Sequence, residues 1–117
     1  ENLSPKTPLS RLPSRLGGKV KIINVNEITH FFSEDKMTFA QTLEGRDLPI
    51  AYSLIELEQR LEKDVFFRIN RNLILNINFI EDVRFSSRVI IRLKDAKKTE
   101  FLVAHERVKT LRDFLGM

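Results

Sequence analysis

The sequence predicts a mostly β domain built from several small antiparallel sheets and two short helices. Three observations carry this expectation. From Val20 onward, apolar residues come in runs of strand length separated by polar and turn-forming residues. Only two stretches, about 53–62 and 104–115, repeat apolar residues at helical spacing. Strands and helices do not alternate as parallel winding requires, and no strand run is much longer than the usual five or six residues.

Residues 1–18 hold three of the four prolines and two of the four glycines without a sustained period, so they read as a linker or tail leading into a domain at 19–117. Val20, Ile22 and Val25 open the strand pattern. Ile28 to Phe32 and Phe39 to Leu43 follow, with Glu44-Gly45 as the next turn signal. Leu48 to Tyr52 contains Pro49, which cannot donate to a ladder and so marks an edge or a strand end. Ser53-Leu-Ile-Glu56 is a capping box, in which the hydroxyl and the carboxylate each accept from the other residue's backbone N–H. Leu54, Leu57 and Leu61 then recur at helical spacing, and Lys63-Asp64 closes the helix. Val65 to Ile69 is β-branched and aromatic. Leu73 to Val83 is apolar but carries Asn76 and Asn78; it fits either a short helical turn followed by a strand or one irregular strand. Val89, Ile91 and Leu93 alternate with Ile90, Arg92 and Lys94. With Phe101 and Val103, beyond the polar loop at 95–98, they form a hairpin with one apolar face. Ala104, Val108, Leu111 and Leu115 define the buried stripe of a last helix that stops at Gly116.

A length of 117 residues with 42% hydrophobic content suits one core, and 31% charged residues with nine Phe exclude a disordered or collagenous chain. No low-complexity segment or internal repeat stands out. The apolar runs fall far short of the roughly 18 residues of a membrane helix, so no membrane association is expected. There are no cysteines, which removes disulfides, thiolate zinc sites and thiol catalysis and suits a cytoplasmic location. The chain starts at Glu1 rather than Met and is expected to be a fragment of a longer protein. Residues 1–19 carry Lys6, Arg11, Arg15 and Lys19 against Glu1, a net +3, which leaves +1 for residues 20–117. The basic pI therefore does not by itself mark a nucleic-acid face.

Catalytic residues are not expected. His30 lies within an apolar strand and His105 is far away in sequence. Glu34-Asp35 and Glu81-Asp82 are neighbours that point to opposite faces of an extended chain, and no nucleophile elbow or phosphate loop is present. No metal or other cofactor is expected either. The grouped polar residues are Arg68, Asn70, Arg71 and Asn72, at the end of an apolar strand. Arg can fork onto guanine or phosphate and Asn onto adenine, so the group fits DNA recognition or, alternatively, a structural turn whose polar groups cap backbone. Arg84, Arg88 and Arg92 form a second basic group that reads equally as a solvated strand face. Arg107, Lys109 and Arg112 form a third, interrupted by Glu106 and Asp113.

Phe66-Phe-Arg-Ile-Asn-Arg-Asn-Leu-Ile-Leu-Asn76 resembles the most recognisable segment of the LytTR (LytR/AlgR-type) DNA-binding domains of bacterial response regulators. The family pattern is F-x-R-x-[HN]-R-[SNQ], two or three apolar residues, then N or S. Ile28 to Lys36, Tyr52 to Glu58 and Val103 to Val108 fit the family in the same order, so the resemblance covers about residues 15–117. The wording Ser33-Glu-Asp-Lys36 and Arg68-Ile-Asn-Arg71 is similar to the branch common in Bacteroidetes.

The resemblance implies an elongated fold of small antiparallel sheets that lays loops into successive major grooves of double-stranded DNA and bends it, for transcriptional control. Three regions would touch DNA: Asp35, Lys36, Met37 and Thr38; Arg68, Asn70, Arg71 and Asn72; and His105, Glu106, Arg107 and Lys109. Base readout would fall to Arg71 with Asn70 or Lys36, and phosphate contact to Arg68, Arg107 and Lys109. Two positions differ from the family. Ala104-His105-Glu106 stands where Ser-Arg-x is usual, and Glu106 would repel phosphate unless it reads a cytosine amino group. Met37 suits either a thymine methyl or simple packing. The resemblance also implies an upstream receiver domain, a sensor kinase, and a monomeric fragment that becomes dimeric on direct repeats in the full-length protein. A protein-interaction module that has lost its DNA contacts is the competing reading, and a small hydrolase or metal enzyme is a third.

Overall fold

The computed structural model describes residues 7–117. Strand β1 (Arg11–Leu16) turns at Gly17-Gly18 into β2 (Lys19–Asn24), the two pairing from Arg11↔Asn24 to Leu16↔Lys19. Its first strand and turn fall inside the stretch, 1–18, expected to be a linker, while β2 lies in the expected domain. Leu12 and Ser14 are fully buried, and the Ser14 hydroxyl donates to the Pro49 carbonyl at 2.6 Å. The proline content misled because β1 is laddered on one side only, where Pro13 is tolerated. Residues 1–6 of the expected linker lie outside the described residues. The facing of β2 also differs from expectation: Ile23 is buried, whereas Val20 and Ile22 are exposed.

Five strands follow in one antiparallel sheet: β3 (Ile28–Glu34), β4 (Met37–Thr42), β5 (Asp47–Ile50), β6 (Phe66–Asn70) and β7 (Leu73–Asn76), in the spatial order β5-β4-β3-β7-β6. Pro49 sits on the edge strand, as its missing donor requires. Between β5 and β6 runs α1 (Leu54–Arg60). Its capping box is closed by a bond from the Glu56 N–H to Ser53 Oγ at 3.1 Å and one from the Ser53 N–H to Glu56 Oε1 at 2.8 Å. A three-stranded sheet, β10-β9-β8, is made by β8 (Ile80–Phe85), β9 (Val89–Leu93) and β10 (Glu100–Leu102). The expected last helix is a 3-10 turn at His105–Arg107 that runs into α2 (Val108–Leu115), which ends on Gly116 at φ 82°.

The ambiguous stretch at 73–83 resolves into strand, 3-10 turn and strand. Asn76 caps the turn at Ile77–Phe79 by accepting from the Asn78 N–H, and Asn24 caps the turn at Val25–Glu27 by accepting from the Asn26 N–H. The two segments, Asn24-Val-Asn-Glu-Ile28 and Asn76-Ile-Asn-Phe-Ile80, are a short recurrence. In each, an Asn side chain replaces a backbone partner and turns the chain into the next strand.

Two hydrophobic clusters share β7. Ile74 packs with Leu12, Ile28, Phe31 and Leu57, while Leu73 and Leu75 pack with Ile69, Ile91, Leu93 and Leu111. A strand presents successive side chains to opposite faces, so three consecutive residues serve both cores, and Asn76 beyond them is buried as well. The stripe expected on the last helix is centred on Leu111, with Val108 and Leu115 half-buried beside it. The domain is flattened, 46 × 38 × 24 Å. Among the described residues no helix is long and apolar enough to cross a membrane.

Candidate nucleic-acid interface

The topology gathers the polar segments at one end of the five-stranded sheet. Asp35 and Lys36 form the two-residue turn between β3 and β4, both left-handed at φ 53° and 66°. That geometry matches the twist of a hairpin, but it disfavours side-chain-bearing residues by about 1–2 kcal/mol each. Arg71 and Asn72 turn β6 into β7. Ser33 joins the two turns, its N–H donating to the Asn72 carbonyl at 3.0 Å and its hydroxyl to Asn72 Oδ1 at 3.2 Å. The third segment is tied alongside by three bonds. Asn70 Nδ2 donates to the Leu102 carbonyl at 3.2 Å, the Ala104 N–H to the Ile69 carbonyl at 2.9 Å, and Arg107 Nη1 to the Arg68 carbonyl at 3.3 Å. The structure thus brings together the segments at 36–38, 68–72 and 105–109.

Within this cluster the side chains divide into scaffold and free groups. Arg68 is 13% exposed; its Nη1 meets Glu58 Oε1 at 2.8 Å, its Nε donates to the Asn70 carbonyl at 3.3 Å and its Nη2 to the Arg71 carbonyl at 2.5 Å. Asn70 Oδ1 accepts from the Asn72 N–H at 2.8 Å. Arg68, Asn70 and Asn72 therefore build the turn, which leaves the side chain of Arg71 exposed at its apex. Arg107 is also partly occupied, with Glu58 Oε2 at 3.8 Å. Glu58, on α1, is the residue that sequence reasoning missed: nothing in its helical spacing shows that two guanidiniums from other elements converge on it. Lys36, Met37, His105, Glu106 and Lys109 are exposed, and Thr38 is half-buried. Met37 lies at the rim of an apolar groove formed with Val20, Pro49 and Ile50.

The sequence profile of the LytTr DNA-binding domain matches residues 18–116. The chain belongs to the LytTR family. At that level it is a DNA-binding domain. The chain is 28% identical over 110 residues to the heme-containing CO-sensing transcriptional regulator RcoM 2 of Paraburkholderia xenovorans (strain LB400), and 26% identical to RcoM 1 of the same organism. Each match covers 93% of this chain, which spans about 41% of the length of these curated relatives. Its fold matches the LytTr DNA-binding domain of a Bacillus cereus protein described as a methyl-accepting/DNA response regulator. That match has a TM-score of 0.81 and 22% identity, covering 93% of this chain and 99% of that one.

Elsewhere in this LytTR domain two of the basic groups singled out in the sequence are engaged within the fold. Arg84 and Arg92 both reach Glu100 Oε2, at 2.8 and 3.1 Å, as the solvated strand face that the sequence allowed. The Arg112 guanidinium lies 4.3 Å from the centroid of Phe85. His30 is buried, with Nδ1 at 2.9 Å from Thr29 Oγ1 and the Phe101 ring edge-on at 5.0 Å. The Thr29 hydroxyl donates to the Gln41 carbonyl, so it accepts from Nδ1–H. Burial lowers the His30 pKa to about 4, against the opposing pull of Asp47 and Asp95. His30 is a neutral core group, not a ligand at the interface.

Proposed function

We propose that this LytTR domain reads a specific sequence in double-stranded DNA as the effector domain of a cytoplasmic two-component response regulator. The turns at 35–36 and 71–72 and the 3-10 turn at 105–107 enter successive major grooves. The observation that carries this reading is the Arg71 turn: the side chains of Arg68 and Asn70 hold its backbone while one exposed guanidinium stands free. With the backbone already ordered, only the side chain of Arg71 loses freedom when its guanidinium forks onto a guanine edge. Lys36, His105 and Lys109 flank it, with Lys109 on phosphate and Met37 against a thymine methyl. Arg68 and Arg107 support the turn and offer only their remaining N–H groups to the backbone.

The nearly neutral charge of residues 20–117 fits a monomer that binds modestly and gains affinity when a phosphorylated receiver domain pairs two copies on direct repeats. A sensor kinase would supply that phosphate. A second reading, a protein-interaction module without DNA contacts, is favoured by one observation, the exposed carboxylate of Glu106 within the third segment.

Selection of random duplexes by this domain separates the two readings, with the winner and a scrambled control titrated at two salt concentrations. The expected result is a motif repeated at helical spacing and bound with a steep salt dependence, tighter still for a covalently linked dimer. No enriched motif, even for the linked dimer, would leave the protein-interaction reading.

A further inference from the structure

We propose that the β1–β2 hairpin is a fourth DNA contact, gripping the phosphate backbone beside the three reading segments; this rests on the DNA-reading function above. Charge distribution is the first observation. Residues 11–24 hold Arg11, Arg15, Lys19 and Lys21 and no Asp or Glu, so the cationic excess expected of a tail sits largely on a folded hairpin. All four are exposed, and among the described residues none takes part in a salt bridge. A group of unpaired cations on a segment with no acidic residue of its own is the footprint of a phosphate ligand.

Placement is the second observation. Ser14 bonds to Pro49, and Ile50, the next residue, pairs with Thr38 beside Met37. Arg15 and Val20 share one groove with Met37, Ile50 and Ala51. The end of β1 and the start of β4 therefore lie at the same end of the fold. The turns at 17–18, 35–36 and 71–72 therefore point to the same side of the fold, and in the hairpin register Lys19 and Lys21 take one face of the ribbon while Arg11 and Arg15 take the other, so cations flank the tip on both faces.

The tip itself is the third. Gly17 adopts φ 64°, which explains a glycine there. Gly18 does not have a positive φ, and nothing lies within 4 Å of where its Cβ would be. The fold does not require a glycine at 18. A bare tip instead lets a phosphate approach the backbone N–H groups closely. Cations on flexible stems around such a tip hold the duplex without reading its sequence.

The test is the triple variant R15Q/K19Q/K21Q, titrated on the duplex selected by the wild type and extended by flanking base pairs. The buried anchors Leu12, Ser14 and Ile23 are untouched. A thermal melt checks folding, and K19Q/K21Q, confined to β2, serves should the triple variant melt early. The expected result is a slope of log affinity against log salt shallower by about 2–3, from about 0.9 per lost phosphate contact, and a loss of affinity of about tenfold at low salt. Preference at every base position should be retained. Wild-type affinity and slope in the variants would overturn the hairpin contact while leaving the reading of Arg71 intact, whereas a wild type that selects no duplex would overturn both.

Discussion

Replacing Arg68 by Met keeps the aliphatic stem and removes the guanidinium, which the structure uses as internal bracing. Three interactions are lost. The ion pair with Glu58 joins a 13% exposed to a 40% exposed side chain, so solvent screening reduces it to about 0.5–1 kcal/mol. The bonds to the Asn70 and Arg71 carbonyls come from a charged donor, for which about 1.5–3 kcal/mol is usual, but the first is long at 3.3 Å and the weaker of the two. Together they give a destabilisation of about 2–4 kcal/mol. At about 4 °C per kcal/mol for a domain of this size, the Tm falls by about 8–16 °C. Arg71→Ala is the matched control: an exposed side chain without internal partners should change stability by no more than about 0.5 kcal/mol. Its expected loss is about 1–3 kcal/mol of specific duplex binding, with preference flattened at one base pair. Thermal unfolding by circular dichroism and duplex titration at a temperature below both melts give the two readouts. An Arg68→Met variant that melts within about 2 °C of the wild type, with affinity lowered alike for all sequences, would refute the scaffold assignment and restore Arg68 as a phosphate ligand.

His30 makes stability depend on pH. Its folded pKa, about 4, lies below the ordinary 6.5, so between those values the unfolded chain takes up a proton that the folded chain refuses. Acidification through that window should remove up to roughly 3 kcal/mol. His30→Phe should flatten this component of the wild-type profile in urea titrations at pH 7 and pH 4.5, and parallel profiles would count against it. Leu57→Ala and Leu111→Ala should each cost about 2–5 kcal/mol in chemical denaturation, since each is fully buried in a different cluster; a fold that keeps wild-type stability without Leu111 would mean that the second cluster is not a core. Lys109→Ala should weaken all duplexes alike and reduce the salt slope by about one, and loss of sequence preference instead would make it a base reader.

Much of the fold was legible because local chemistry and tertiary packing agree. The capping box set the start of α1, alternation set the β9–β10 hairpin, and Pro49 placed β5 at an edge. The first strand, β1, was hidden because proline, serine and glycine look alike in a linker and in a twisted two-stranded ribbon. Only the long-range contacts of Leu12 and Ser14 with the rest of the chain distinguish them. β7 escaped any period because it is buried on both faces, so its pattern alternates between two cores rather than between core and water. The segments of the candidate site come from the family resemblance, which fits residues at 66–76 and 103–108. The division of labour within them was not legible there. Arg68 and Arg71 are the same amino acid three positions apart, and a carboxylate ten residues upstream of the first decides which one is free.

The turn that carries Arg71 feeds directly into β7, so its guanidinium is mounted two residues from the strand that both halves of the interior clamp. In mechanical terms it is a short cantilever fixed at the stiffest point of the body. A load applied at Arg71, as when a bent duplex recoils, passes into Leu73, Ile74 and Leu75 and is shared by the two cores rather than taken up by a yielding loop. The Lys36 hairpin reaches further from the sheet, its last pair Glu34 with Met37 lying beyond Phe32, where the pairing with β7 ends. A duplex held by both would meet one finger backed by two cores and one backed by its own two strands.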